Sequence, residues 1–441
     1  MTTTRSTTTA RGPTLFGLGL ALNGLAAFAF LSMAGRALGP SAFAPLSIMW
    51  STMYLVGVGL FLPFEQEITR AVAANDERGE SARGAISRAG EIQVALLLLV
   101  AIPTVLARGA IADELFHGNS SYVWMLLLGV AGIASGHFIK GVMAGRRRYG
   151  LYGTWYFVDS ITRIVPTALF AVAGLSIGLP YALVAAGSAL VATISVAWKA
   201  ADLGPRGHPP TWPSLLSSLG FLLCTSLTGA VMMNVGTIAV GLLAAEQEKD
   251  RAGVFLSGLV IARVPLFLFQ AVQALVLPQL SEHVAADRRI EFHRDVRRLL
   301  RLLMLFLIAG TLGAAVAGTF VLTTLFGSDF AQLSRVDFAL LALSSLLLLV
   351  GLSVNQAQIA LNQQRLTAIP WLAGVATFTA SVALFDGELY TRVGTALAIG
   401  SVVVAAVAYA LLNFAMSAWN ATGTPSDRSA RANENRAREG R

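Results

Sequence analysis

The sequence predicts an all-α membrane protein of about twelve transmembrane helices in two six-helix bundles, and three observations predict it. Of 441 residues, 55% are hydrophobic and 13% charged, about half the charged share of a soluble domain. Mean hydropathy over the whole chain is +0.67. Apolar runs long enough to cross ~30 Å of hydrocarbon, about 20 residues each, recur from one end of the chain to the other. A chain this poor in solvating groups is neither a soluble enzyme nor a disordered protein. Its net charge of +8 sits between apolar runs and implies no nucleic-acid partner.

The first run, 14–35, follows a short polar lead. It is too long for a signal-peptide core and lacks a small-residue cleavage site, so it reads as an uncleaved helix. Runs at 42–64, 89–107, 121–140, 152–174 and 178–198 complete a first set of six. Gly174, Gly178 and Pro180 divide what would otherwise be one long uncharged stretch. The second set lies at 214–245, 252–280, 299–326, 338–361, 366–385 and 393–418. The expected organisation is therefore a polar N-terminus (1–13), a first bundle (14–200) and a linker (201–213). A second bundle (214–418) and a polar, disordered tail (419–441) follow.

Basic residues fix an expected orientation, because Lys and Arg are retained on the cytoplasmic side. With both termini inside, 24 of the 32 Lys and Arg fall in cytoplasmic segments and 6 outside, with Arg163 and Arg263 inside spans. Arginine outnumbers lysine 29 to 3, a usage typical of GC-rich bacterial genomes. The single Cys224 has no disulfide partner and no Cys/His metal spacing is present, so no metal or other cofactor is expected.

The two halves repeat. Leu62-Pro63-Phe64-Glu65-Gln66-Glu67 and Leu277-Pro278-Gln279-Leu280-Ser281-Glu282 both read LPxxxE. Arg148 matches Arg365, Trp155 matches Trp371 and Asn23 matches Asn234 at nearly the same offset. Six helices preserve orientation, so these are parallel repeats about an axis along the membrane normal. Secondary transporters are commonly built this way, with the substrate between the halves.

Further residues carry a family resemblance. The turn Arg36-Ala37-Leu38-Gly39-Pro40 with Phe43, the LPxxxE ending of the second helix, the charged loop 65–88 and the Gly145-Arg146 exit of the fourth resemble bacterial polysaccharide flippases. These belong to the multidrug, oligosaccharidyl-lipid and polysaccharide exporter superfamily. Twelve spans fit its O-antigen-type branch rather than the fourteen-span lipid II flippases. The resemblance implies a V-shaped molecule around a central cavity in the bacterial plasma membrane. It also implies that an undecaprenyl-diphosphate-linked sugar passes from inner to outer leaflet by alternating access, with glycosyltransferases or a polymerase of the same pathway as partners.

Intramembrane polar residues supply the candidate site, since a charge at mid-bilayer costs at least ~2.5–3.5 kcal/mol. Arg263 stands alone near mid-depth with no acid within four residues. Asp159 and Arg163, four apart on one helix face, are expected either to line the cavity or to pair internally. Asn23, Asn234, Gln270 and Asn355 are cavity candidates for sugar hydroxyls, with Gln273, Gln356 and Gln358 beside them; the alternative is interhelical hydrogen bonding. Glu67 and Glu282, equivalent by the repeat, are candidate gates at the inner mouth, and Arg146, Arg147 and Arg148 a candidate phosphate-attracting entry rim. His137 and Lys140 read as interface residues. No GxxxxGK[ST] loop occurs, so a gradient would drive transport. A MATE-like drug or cation antiporter is the alternative transporter. A membrane glycosyltransferase, polymerase or ligase is the alternative of another class, and it lacks a sizeable catalytic segment.

Overall fold

The computed structural model describes residues 11–77, 80–200, 212–245, 248, 250–264, 279–361 and 363–421. All regular structure among them is helical. The first helix, α1 (Arg11–Glu77), carries two membrane passes joined without a loop. Gly39 breaks it at φ 70°, ψ 170°. Proline disfavours helical backbone in the residue before it, glycine alone takes positive φ cheaply, and Pro40 then starts the second arm, where its missing N–H has no cost.

α2 (Arg83–Leu106), the short α3 (Arg108–Leu115), α4 (Ser121–Gly145), α5 (Tyr149–Val172) and α6 (Gly178–Ala200) complete the first bundle. The break between α5 and α6 falls where the sequence places it, with Gly174 at φ +68°. The second bundle holds α7 (Trp212–Leu243), α8 (Arg251–Ala262), α9 (Arg289–Phe326), α10 (Arg335–Ala360), α11 (Ala368–Leu384) and α12 (Leu389–Ala421). Among the described residues eight helices are long and apolar enough to cross a membrane. The bent α1 counts once among those eight. With α5, α11 and the described part of α8, these make two sets of six helical segments among the described residues.

Both halves use the same neighbours. The fourth pass packs on the sixth and the tenth on the twelfth, the first on the fifth and the seventh on the eleventh. Lipid tails are as apolar as the helices, so close packing holds these crossings together rather than a hydrophobic drive. A Cβ at Gly132 would stand 3.2 Å from the Ala186 carbonyl, and one at Gly374 3.1 Å from that of Gly400.

Sequence boundaries hold except at polar ends, and for the run 252–280 residues 265–278 lie outside the described residues. α1 continues through the LPFEQE stretch to Glu77 rather than looping out at 65, and α9 begins ten residues before the apolar run. Both extensions are amphipathic, so a hydropathy criterion stops short of them. α10 starts where Ser334 and Asp337 form a reciprocal capping box.

The bundles meet on the face opposite the arginine-rich loops. There Ser32 donates to the Leu325 carbonyl, Arg36 to that of Thr324, and the Phe43 ring lies 6.0 Å from Phe330. The contact runs down to Ser226, which donates to the Val58 carbonyl. One apolar core spans both bundles here. Towards the arginine-rich face, further apolar clusters gather separately, one around Met143 and Val196 in the first bundle and one around Leu280 and Leu412 in the second.

Candidate functional site

Among the described residues, two polar clusters and an arginine without an ion-pair partner lie within the helices. In the first cluster Asp159 and Arg163 of α5 pair at 2.7 Å, both side chains almost fully buried. Asn23 of α1 donates to the same carboxylate oxygen at 2.6 Å. Arg163 reaches Ser188 of α6 at 3.3 Å and lies over the Trp50 ring at 5.4 Å. Four passes of the first bundle thus converge on one ion pair. Of the two expectations for Asp159 and Arg163, the internal pair is what the geometry shows.

The second cluster was not singled out from sequence. Glu65, in the second arm of α1, accepts from His137 Nδ1 at 2.6 Å, from Lys140 Nζ at 3.3 Å and from the Tyr152 hydroxyl. Lys140 lies 4.7 Å above the Trp155 ring and 5.5 Å from that of Tyr156. His137 and Lys140 are therefore buried ligands of a carboxylate rather than interface residues. The signal was available, because residues three apart share a helix face and Gly141 beside them lets α4 approach the Glu65 backbone. The repeat drew attention to Glu67 instead, since only that glutamate recurs in the second half.

Arg263 stands apart. It caps the C-terminal end of α8 and donates through one terminal nitrogen to the Met233 carbonyl of α7. Its Nε has no hydrogen-bond partner among the described residues, and no carboxylate there forms an ion pair with it. α8 also lies against α1, with Gly253 packed on Pro40 and Ala44. A cation with no ion-pair partner among the described residues thus sits on a helix that packs against both bundles.

The remaining candidates are dispersed. Asn234 donates to the Ala230 carbonyl one turn back. Asn355 is buried, and Gln358 donates to the Ala408 carbonyl of α12, an interhelical bond rather than a cavity group. Gln270 and Gln273 lie outside the described residues. Glu67 is buried and held by Arg70 one turn on, whereas Glu282 is exposed and held by Arg288. Both of these ion pairs stay within one bundle. Arg146, Arg147 and Arg148 follow α4, with Arg148 donating to the Lys199 carbonyl. No group of three or more His, Cys, Asp or Glu among the described residues could hold a metal.

A membrane chain with two repeated six-helix bundles, joined by one apolar core and with separate apolar clusters among the described residues towards the arginine-rich face, has solved counterparts. An inward-facing multidrug resistance MATE family transporter of the MOP superfamily superposes with TM-score 0.71 at 15% identity, covering 93% of this chain and 99% of that one. The fold is that of the MATE transporters. An outward-facing MATE structure gives 0.67 at 13% identity over 93% and 96%, and a Vibrio cholerae MATE transporter in the bent form 0.61 at 15% over 94% and 98%. No family model matches the sequence. Uncharacterised proteins of Mycobacterium bovis and Mycobacterium tuberculosis are 24% identical over 403 residues, 88% of this chain and of each relative.

Proposed function

We propose that the chain is a gradient-driven transporter that works by alternating access between its two bundles and moves an amphiphilic anion, a polyprenyl-diphosphate-linked sugar. The observation that carries this reading is the charge balance inside the membrane. The buried carboxylates Asp159 and Glu65 each have a cation in contact, while Arg263 has none among the described residues. A cationic substrate finds no uncommitted carboxylate in these clusters; a diphosphate finds a guanidinium with a free donor. A lipid diphosphate carries about two negative charges, and leaving an inside-negative cell releases ~2.3 kcal/mol per charge per 100 mV, about 4.6 in all. No covalent chemistry is assigned to the chain.

The arginine bias favours a cytoplasmic location for the face where the bundles part. Impermeant thiol labelling from outside should then reach a cysteine at 113 and miss those at 147 and 290. Labelling at 147 overturns the orientation.

The test of substrate class is Arg263→Ala in cells, with Arg263→Lys alongside. Lipid-linked sugar should accumulate in the inner leaflet with alanine, and lysine should restore part of the export because it keeps the charge without the planar fork. A second reading, efflux of drugs or organic cations, draws support from the multidrug transporters that share the fold. It predicts dye sensitivity on deletion of the chain and dye efflux that Arg263→Ala leaves intact.

A further inference from the structure

α9 begins ten residues before its apolar stretch, and what it places there is ordered rather than scattered. Arg289, His293, Arg297 and Arg301 follow one another at four-residue steps, so they form a single ridge along the helix. Leu305 extends the same row, and Leu312, Val316 and Phe320 follow on the row beside it, all strongly exposed. Of the candidate spans, α9 has the smallest buried share, 6%, so the face that carries Leu305, Leu312, Val316 and Phe320 lies against lipid. Its basic end and its apolar end meet between Arg301 and Leu305, one helical turn, or ~6 Å, apart.

The basic end is concave. A cleft of about 470 Å³ is lined by Arg289, His293, Arg294, Arg297, Arg301 and Asn420. Arg289 is committed to structure, paired with Asp287 at 2.9 Å and lying 5.3 Å from the Trp419 ring, where it helps fasten α9 to the end of α12. His293 Nδ1 is turned to the Arg289 carbonyl. Among the described residues Arg294 makes a long contact to Asp295, at 3.4 Å. Arg297 and Arg301 are exposed and form no ion pair with an acid among the described residues. Three guanidinium groups over two turns, ~10 Å, thus crowd one cleft with little acid to neutralise them. General retention of positive charge on one side of a membrane explains arginines in loops. It does not explain why Arg297 and Arg301 lead into the exposed apolar face of the same helix.

We infer that this cleft is a binding site for the headgroup of an anionic phospholipid, whose acyl chains lie along the Leu305–Phe320 ridge. The guanidinium groups match phosphate oxygens in geometry as well as charge, and basic pockets at the membrane surface of transporters suit such headgroups. Two phosphates fit the spacing of Arg294 to Arg301 better than one, which favours a diphosphatidyl lipid over a monophosphate one. The site lies on the lipid-facing flank of the second bundle and does not depend on what the transporter carries.

The test titrates the purified full-length protein in detergent with cardiolipin, phosphatidylglycerol, phosphatidylcholine or inorganic phosphate and follows its thermal unfolding midpoint. Cardiolipin should raise the midpoint at the lowest concentration, phosphatidylglycerol should follow, and phosphatidylcholine and phosphate should leave it unchanged. The triple variant Arg294→Gln, Arg297→Gln, Arg301→Gln should need roughly a hundredfold more cardiolipin, from about 1 kcal/mol per basic residue near the surface. A control that neutralises Arg83 and Arg108, exposed arginines of the first bundle, should titrate like the parent. Single Arg297→Gln and Arg301→Gln variants should each shift the titration severalfold if the triple variant is not recovered folded. An unshifted titration in the ridge variants, an equal shift in the control, or saturation by inorganic phosphate overturns the inference.

Discussion

The two halves of this molecule share a fold and differ in what they bury. At the register of Glu65, His137 and Lys140 in the first bundle, the second bundle carries Leu280, Val354 and Ala357, all buried in one apolar cluster. At the register of Asp159 and Arg163 it carries Val375 and Thr379. The reverse holds at Arg263, whose counterpart in the first half is the buried Ile48. A parallel repeat therefore keeps the packing positions and exchanges their chemistry. Among the described residues, the first half pairs the charges of Asp159 and Glu65 internally, whereas Arg263 in the second has no ion-pair partner. That asymmetry shows that these buried ion pairs are not needed to make the bundle, since the second copy carries apolar or neutral residues at the same registers.

The largest expected effect comes from breaking the buried pair. Arg163→Ala strands Asp159 in a site shielded from water, and chemical unfolding in detergent should show a loss of ~3–5 kcal/mol. The double change Asp159→Val, Arg163→Thr, which installs the second half's residues, should recover most of it. A double variant as unstable as the single would mean that the two halves are not equivalent scaffolds.

Glu65 sharpens the same contrast. Glu65→Leu alone leaves Lys140 uncompensated and should destabilise by a similar ~3 kcal/mol. The triple change Glu65→Leu, His137→Val, Lys140→Ala should lie within ~1–2 kcal/mol of the parent, because well-packed apolar groups replace a buried ionic cluster at little net cost. Transport by that stable triple variant separates a cluster kept for packing from one kept for function, and loss of transport is the expected result.

Arg263→Ala should behave in the opposite sense to Arg163→Ala. With no acid to strand, thermal stability should change by no more than ~1 kcal/mol while export is lost. A loss of several kcal/mol would reveal an acid partner and remove the basis for reading Arg263 as an anion site.

The smallest effects belong to the glutamates the repeat makes equivalent. Glu67 is 3% exposed and Glu282 71%. Glu282→Gln should cost ~0–1 kcal/mol, as exposed pairs do, and Glu67→Gln more. As a proposed gate the two act together. The double Gln variant should raise the accessibility of cysteines between the bundles from the arginine-rich face, and unchanged accessibility would reduce both residues to helix ends.

Twelve passes, their sequence limits, the repeat and the charge asymmetry were legible in the residues alone. Each rests on local quantities, namely the apolar length needed to cross a bilayer, the breaking power of Gly39-Pro40 and Gly174, and the count of arginines between runs. Asp159 and Arg163 were also legible as a pair, because four residues on a helix is a local distance. Tertiary structure decided the rest. Glu65 meets His137, Lys140 and Tyr152 only because the second, fourth and fifth passes converge, and sequence spacing carries no information about which helices touch. Whether a lone arginine such as Arg263 is compensated likewise depends on residues far along the chain. The lipid-facing ridge of α9 was hidden for a related reason. Hydropathy marks where a helix enters the membrane, and only packing against α10 determines which of its faces is left outward.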